Sequence, residues 1–164
     1  MKLLVAGATG YLGGYLVREA AARGHAVRAL TRSEAGLGDL RPLCAEVFAG
    51  QAADDATIEG LCDGVDVVIS ALGNRTFRRK PSPFAVDRDA NLNIVRRAAS
   101  AGVRRFVFVS VLRGGEIRDR VPQIEAREQV VDHLRRGRMP WTVIRPSGFF
   151  NDMSETLTMA RRGT

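Results

Sequence analysis

A chain of 164 residues, 45% hydrophobic and 26% charged, suits one full globular core and is too short for two. No apolar run approaches the roughly 20 residues of a membrane span, and the start MKLLVAGATG lacks the long apolar region and cleavage site of a signal peptide. The formal net charge is +7, and every basic residue except Lys2 and Lys80 is arginine. A basic surface can attract nucleic acid or anionic lipid, yet it equally suits a phosphorylated ligand. The arginines are scattered, with one denser run over 75–80, so neither nucleic acid nor membrane is an expected partner. Cys44 and Cys62 fit no metal-ligand or Cys-x-x-Cys spacing and read as reduced core residues of a cytoplasmic protein.

The chain begins with a buried strand over 3–6. A helix follows over 11–23, with Leu12, Leu16, Val17, Ala20 and Ala21 on one face and Gly24 as its stop. Residues 26–31 form a second strand, 33–42 a loop or short helix, and 46–49 a third strand. A helix over 54–62 is capped by an Asp and closes near Gly64, before a fourth strand over 65–70. Residues 87–101 read as helical, with Leu92, Val95 and Ala99 inward and Gly102 past the end. A fifth strand over 106–110, a helix over 122–136 stopped by Gly137, and a sixth strand over 141–144 complete the chain. Strands alternating with helices predict an α/β fold with a parallel sheet covered on both faces. The whole of 1–164 reads as one domain, without repeats or linkers.

The first strand runs straight into Gly7, Gly10 and Gly13, and these run into a helix. That context makes the glycines a phosphate-binding turn of a Rossmann-like, doubly wound sheet. Gly7 permits the tight turn, Gly10 the close approach of backbone to a pyrophosphate, and Gly13 the packing of helix against strand. The helix N-terminus offers unpaired N–H groups to the phosphates. An NAD site commonly places an acid about 20 residues beyond the glycines. Here Arg32 stands 19 residues after Gly13, where a guanidinium can fork onto a 2′-phosphate. NADP(H) is therefore expected in preference to NAD(H).

The Gly-x-x-Gly-x-x-Gly spacing, with DVVISALG (66–73), VDRDANLNIVRRAASAGVRRFVFVSV (86–111) and WTVIRPSGFFNDM (141–153), resembles the atypical short-chain dehydrogenase/reductases, and among them the NmrA-like NAD(P)-binding group. The resemblance implies that Gly7, Thr9, Gly10, Tyr11 and Leu12 line the pyrophosphate turn. It places Gln51, where an Asp is usual, beside the adenine, and Ala71, Leu72 and Gly73 beside the adenine ribose. Ser110 falls at the position of the catalytic-region serine or threonine, and Pro146, Ser147 and Gly148 border the nicotinamide. Members of the group usually continue through a further strand and the helices that close the substrate pocket. The resemblance thus puts the substrate-binding part outside these 164 residues.

The departure lies in the Tyr-x-x-x-Lys pair of active members, where the ammonium lowers the phenol's pKa so that it can pass a proton. The matching positions are Gln123 and Arg127, and the only tyrosines are Tyr11 and Tyr15. Arg127 can bond a ribose but cannot shuttle a proton. Along its own helix it meets Gln123, Ile124, Val130 and Val131, none of them a carboxylate, so its guanidinium is expected to be free. Ser110 has no recognisable His or Asp partner. His25 and His133 read as structural or exposed, and Asp152 as a helix cap at Met153. The expected activity is an NADPH-dependent reduction of a carbonyl, enone or quinone by a monomer or homodimer. The rival is a non-catalytic NADP(H) sensor or assembly factor with a protein partner; nucleotide-sugar epimerase chemistry fits less well, since it normally retains the pair.

Overall fold

The computed structural model describes residues 1–74 and 82–150, together with residues 157, 160 and 161. The arginine-rich run over 75–80, and Asp152 with Met153, lie outside the described residues. In chain order the elements are β1 (Lys2–Ala6), α1 (Tyr11–Ala22), β2 (Ala26–Thr31), β3 (Glu46–Ala49), β4 (Val67–Ser70), α2 (Ala90–Ser100), β5 (Arg105–Val109), α3 (Gly114–Ile117), α4 (Pro122–Arg136) and β6 (Trp141–Ile144). The strands form one all-parallel sheet in the order β3-β2-β1-β4-β5-β6. This is the doubly wound α/β arrangement, and its strand order reverses between β1 and β4.

Side-chain alternation along β1 sorts the core. Leu4 and Ala6 join β5's Phe106 and Phe108, with Ile94, Val95 and Ala98 of α2 and Val130, Val131 and Leu134 of α4, on one face. Leu3 and Val5 join Val27 and Ala29 of β2, with Val17 and Ala20 of α1 and Leu37 and Leu40, on the other. Strands buried on both faces carry near-continuous apolar runs, which is why β1 and β2 are so evident in the sequence. Among the described residues no helix is long and apolar enough to cross a membrane.

Three expectations need correction. Residues 54–62 do not form a helix; a short 3-10 turn covers Asp55–Ile58. The Thr57 hydroxyl donates to the carbonyls of Gln51 and Asp54, competing with helical bonds, and Gly60 then turns away at φ 70°. The long helix begins as a π-turn over Phe84–Asp89 that leads into α2, so the inward face shifts. Asp87, Asn91, Ile94, Val95 and Ala98 are buried, while Ala99 is exposed and Leu92 half-buried.

Both cysteines are buried and unpaired. Burial pushes the Cys62 thiol up to about 12 and raises Cys44 as well. Since the thiolate is the reactive form, neither should be carbamidomethylated by iodoacetamide at neutral pH until the chain unfolds. Mass spectrometry of native and urea-unfolded protein checks this.

Candidate dinucleotide site

The crevice opens at the carboxyl ends of β1 and β4, where the strand order reverses. β1 delivers Gly7 at φ 83°, and the Gly10 N–H closes the turn onto the Gly7 carbonyl at 2.9 Å. A Cβ built on Gly13 would stand 1.9 Å from that same carbonyl oxygen. Gly13 therefore lets α1 lie directly on the turn, as its spacing predicts. The α1 N-cap, Gly10, supplies no side-chain cap, and the first turn carries no acid. A helix end of this kind favours an anionic ligand. Thr9, Gly10 and Tyr11 are exposed and Leu12 half-buried.

The loop leaving β4 presses on this turn. A Cβ on Gly7 would meet Leu72 N at 3.0 Å and the Ala71 carbonyl at 3.1 Å, and the Ala71 N–H bonds to the Ala6 carbonyl. Asn91 of α2 pins the loop from below: it accepts from the Ser70 hydroxyl at 2.5 Å and donates to the Leu72 carbonyl at 3.3 Å. Ala71, Leu72 and Gly73 thus form a fixed wall beside the glycine turn.

On the β2–β3 side, Thr31 is buried and Arg32 exposed at the strand end. Among the described residues nothing pairs with the Arg32 guanidinium. Gln51 follows β3 with an exposed side chain, its backbone N–H and carbonyl both bonded to the Thr57 hydroxyl. One cationic and one amide side chain therefore face outward on the flank where the sequence places the adenosine half.

On the β5–β6 side the sequence expectation for Arg127 is overturned. Its guanidinium is not free: it pairs with Asp87 at 2.9 Å and donates to the Val109 carbonyl at 2.7 Å. Asp87 is fully buried, and it also accepts from the Asn74 N–H. Burial pushes the Asp87 carboxyl up, against the pull of Arg127 and of that N–H. Arg127 passes so close to Gly73 that a Cβ there would stand 1.7 Å from its nitrogen.

Ser110 likewise has a partner. Its hydroxyl donates to Glu128 at 2.8 Å, and Glu128 is gripped by both terminal nitrogens of Arg145 at 2.7 and 2.8 Å. Burial works against the Glu128 charge, but the bonds from Arg145 and Ser110 outweigh it and hold the carboxyl below its ordinary range. Arg145 also bonds the Val111 carbonyl, and the Pro146 carbonyl accepts from the Leu112 N–H. Ser147 and Gly148 are exposed beyond it, and the Phe149 ring lies edge-on to Tyr11, 6.0 Å between centroids.

Ser110, Arg127 and the Pro146 segment thus gather around one end of the sheet. His25 and His133 do not join them: each precedes a strand, at the opposite end of the sheet. Asp87, Asn91, Glu128 and Arg145 were missed. A signal existed for three of them, because Asp87 and Asn91 lie four apart on the apolar side of one helix, and Glu128 shares the Ile124–Val131 face of another. A charge or amide at an inward helical position needs a partner. Among the described residues no buried side-chain nitrogen or oxygen lacks one, and no cluster of His, Cys, Asp and Glu is placed to hold a metal.

The chain matches the NAD(P)H-binding family over residues 7–164. It belongs to that family, and is an atypical short-chain dehydrogenase/reductase of the NmrA-like kind. It is similar to the Photosystem II assembly factor Ycf39 of Synechocystis sp., with 30% identity over 93% of this chain and 46% of that protein. It is also similar to the chloroplastic divinyl chlorophyllide a 8-vinyl-reductase of Arabidopsis thaliana, 25% identical over 99% of this chain and 43% of the relative. The chain spans about half the length of the curated relatives it matches. Among solved structures, the triphenylmethane reductase of Citrobacter sp. complexed with NADP(H) shares the fold at a TM-score of 0.77. Identity there is 19%, covering 99% of this chain and 55% of that one.

Proposed function

We propose that residues 1–164 form one NADP(H)-binding domain of a cytoplasmic oxidoreductase acting on a carbonyl, enone or quinone. The observation that carries the reading is the glycine turn. Gly13 permits a helix N-terminus, free of side-chain caps, to sit on the Gly7 carbonyl, leaving a cradle that a single Cβ would fill. The residues fit a dinucleotide: Gly7, Thr9, Gly10, Tyr11 and Leu12 would hold the pyrophosphate, and Gln51 the adenine edge. Ala71, Leu72 and Gly73 would border the ribose, and Pro146 and Ser147 the nicotinamide. When bound, the reduced nicotinamide supplies a hydride. Around it the chain's own residues orient rather than protonate. Gln123 is an amide, Arg127 stays protonated, and the Ser110 proton is committed to Glu128.

Arg32 supports NADP(H) over NAD(H). It stands exposed and unpaired at the end of β2, where an NAD site would carry an acid. Arg32→Ala should weaken NADPH binding by roughly 10- to 100-fold, the value of one charge-assisted contact, and leave NADH binding within about twofold. Fluorescence titration with both nucleotides checks this; equal losses would sink the 2′-phosphate assignment.

A second reading is favoured by one observation. Ser110 and Arg127, the candidate catalytic residues, are both tied into buried networks. A binding module that reads the NADP(H) state and presents it to a partner protein needs only such a scaffold, and Ycf39 is itself an assembly factor by name. Assays with aldehydes, enones and quinones separate the two. Saturable NADPH binding without oxidation by any acceptor supports the sensor, and turnover supports the reductase.

A further inference from the structure

The arginines look scattered along the chain, but the fold collects five of them at one corner, opposite the crevice. β5 and β6 lie side by side with Phe106 and Trp141 in register, and the Phe106 N–H bonds to the Pro140 carbonyl at 2.9 Å. That pairing sets Arg104 and Arg105, where β5 begins, beside Arg138 in the link that enters β6. α4 ends on the same link and adds Arg135 and Arg136. All five are exposed. Among the described residues Arg136 and Arg138 have no ion pair or hydrogen bond. Arg105 donates to the Thr142 hydroxyl at 2.9 Å, and Arg104 comes no closer to Asp66 than 3.9 Å. Arg135 lies 3.4 Å from Asp132, which is already paired with Arg118 at 2.9 Å. The other acids of this end, Asp63 and Asp66, lie toward β4, so the corner keeps its positive charge.

Arg135 and Arg136 complement the dipole of α4 at its C-terminus. Arg104, Arg105 and Arg138 stand outside any helix and have no such use. Trp141, the chain's single tryptophan, lies among them, 36% exposed, with Pro140 exposed beside it. A partly covered indole among guanidiniums matches the headgroup region of a bilayer, where amphipathic rings settle and basic side chains meet lipid phosphates. A folded protein partner would call for a broad apolar centre, and single-stranded nucleic acid for open ring faces on which bases stack. Among the described residues the corner has neither. We propose that this corner is a docking surface for an anionic phospholipid membrane, holding the domain by the closed end of its sheet while the crevice faces water. The proposal is independent of the NADP(H) reading.

The test uses vesicles of equal parts phosphatidylglycerol and phosphatidylcholine, against vesicles of phosphatidylcholine alone. The unmodified protein should co-sediment with the anionic vesicles only, and Trp141 emission should shift to the blue, which locates the contact at this corner. Both signals should vanish in concentrated salt, which screens exposed charges. Arg104→Gln, Arg136→Gln and Arg138→Gln combined should weaken partitioning about fivefold per guanidinium, or about 100-fold in all. A control combining Arg18→Gln, Arg41→Gln and Arg113→Gln removes the same formal charge from exposed ion pairs elsewhere and should stay within about threefold of the unmodified protein. Circular dichroism confirms that both variants are folded. Equal losses in the two variants would reveal a response to net charge alone and overturn the proposal. So would sedimentation without a blue shift, or no binding to the anionic vesicles. An equal blue shift with poly-glutamate or with a single-stranded oligonucleotide would reassign the corner to an acidic protein or a nucleic acid, and would overturn it as well.

Discussion

Gly13→Ala is expected to abolish measurable NADPH binding and to destabilise the fold, while Gly14→Ala, one residue on, does neither. The added methyl at 13 would lie 1.9 Å from the Gly7 carbonyl oxygen and 2.6 Å from its carbon. Both are backbone atoms of the phosphate turn and cannot swing away, so α1 must lift off β1. Overpacking costs typically reach about 3 kcal/mol, and the displaced helix end no longer aims its amides at the cradle. A loss of at least about 100-fold in NADPH affinity follows from a comparable energy. At Gly14 the methyl would meet Leu40 Cδ1 at 3.5 Å and the Ala8 carbonyl oxygen at 3.9 Å, both ordinary contacts, and alanine's helix preference should add up to about 1 kcal/mol. Urea unfolding of both variants, with NADPH titration, decides the matter; parallel behaviour would show that the turn does not depend on the close approach.

Arg145→Met should be nearly as damaging, and its damage should depend on pH. Glu128 has 2% of its side chain exposed and accepts two bonds from Arg145. Removing the guanidinium leaves a buried carboxylate with only Ser110, at a cost of about 3–5 kcal/mol near neutrality. In the unaltered protein the Glu128 carboxyl sits below its ordinary range. Its stabilisation is therefore present above the unfolded pKa of about 4.3 and is lost as pH falls through the lower folded value. In the variant, burial acts without opposition and lifts the carboxyl, so the folded state gains protons first and stability rises on acidification from neutrality. The two stability curves should converge between about pH 7 and 4. Denaturant midpoints across that range provide the check, and a constant gap would mean that Arg145 does not govern Glu128. A Glu128→Leu, Arg145→Met double variant should recover most of the loss, because replacing both buried partners by apolar residues is often neutral.

The sheet and the glycine turn were legible in the sequence because both are written in local patterns. Val27 to Leu30 is continuously apolar except for Arg28, and β2 has its expected bounds; so do β3, α4 and β6. Gly13 was read from its spacing alone, and the close approach is there. Where local pattern competes with side-chain bonding, reading failed: Asp54, Ala56 and Ile58 look helical, but Thr57 spends its hydroxyl on the backbone behind it. The pairing of Arg127 was illegible for a different reason. A helix reports only its neighbours one turn away, and the partner, Asp87, arrives from an element on the far side of β5. Glu128 and Arg145 are likewise joined only by the fold.

Arg127 and Glu128 are consecutive on α4, so their side chains leave the helix about 100° apart. One arm holds the exits of β4 and β5, the other those of β5 and β6. With arms spread this way, α4 can neither roll nor slide on the sheet without stretching one anchor as it slackens the other. The β4–β5–β6 half therefore behaves mechanically as one rigid block. Any accommodation of a guest falls to the opposite bank of the crevice, where Arg32 and Gln51 stand on exposed strand ends.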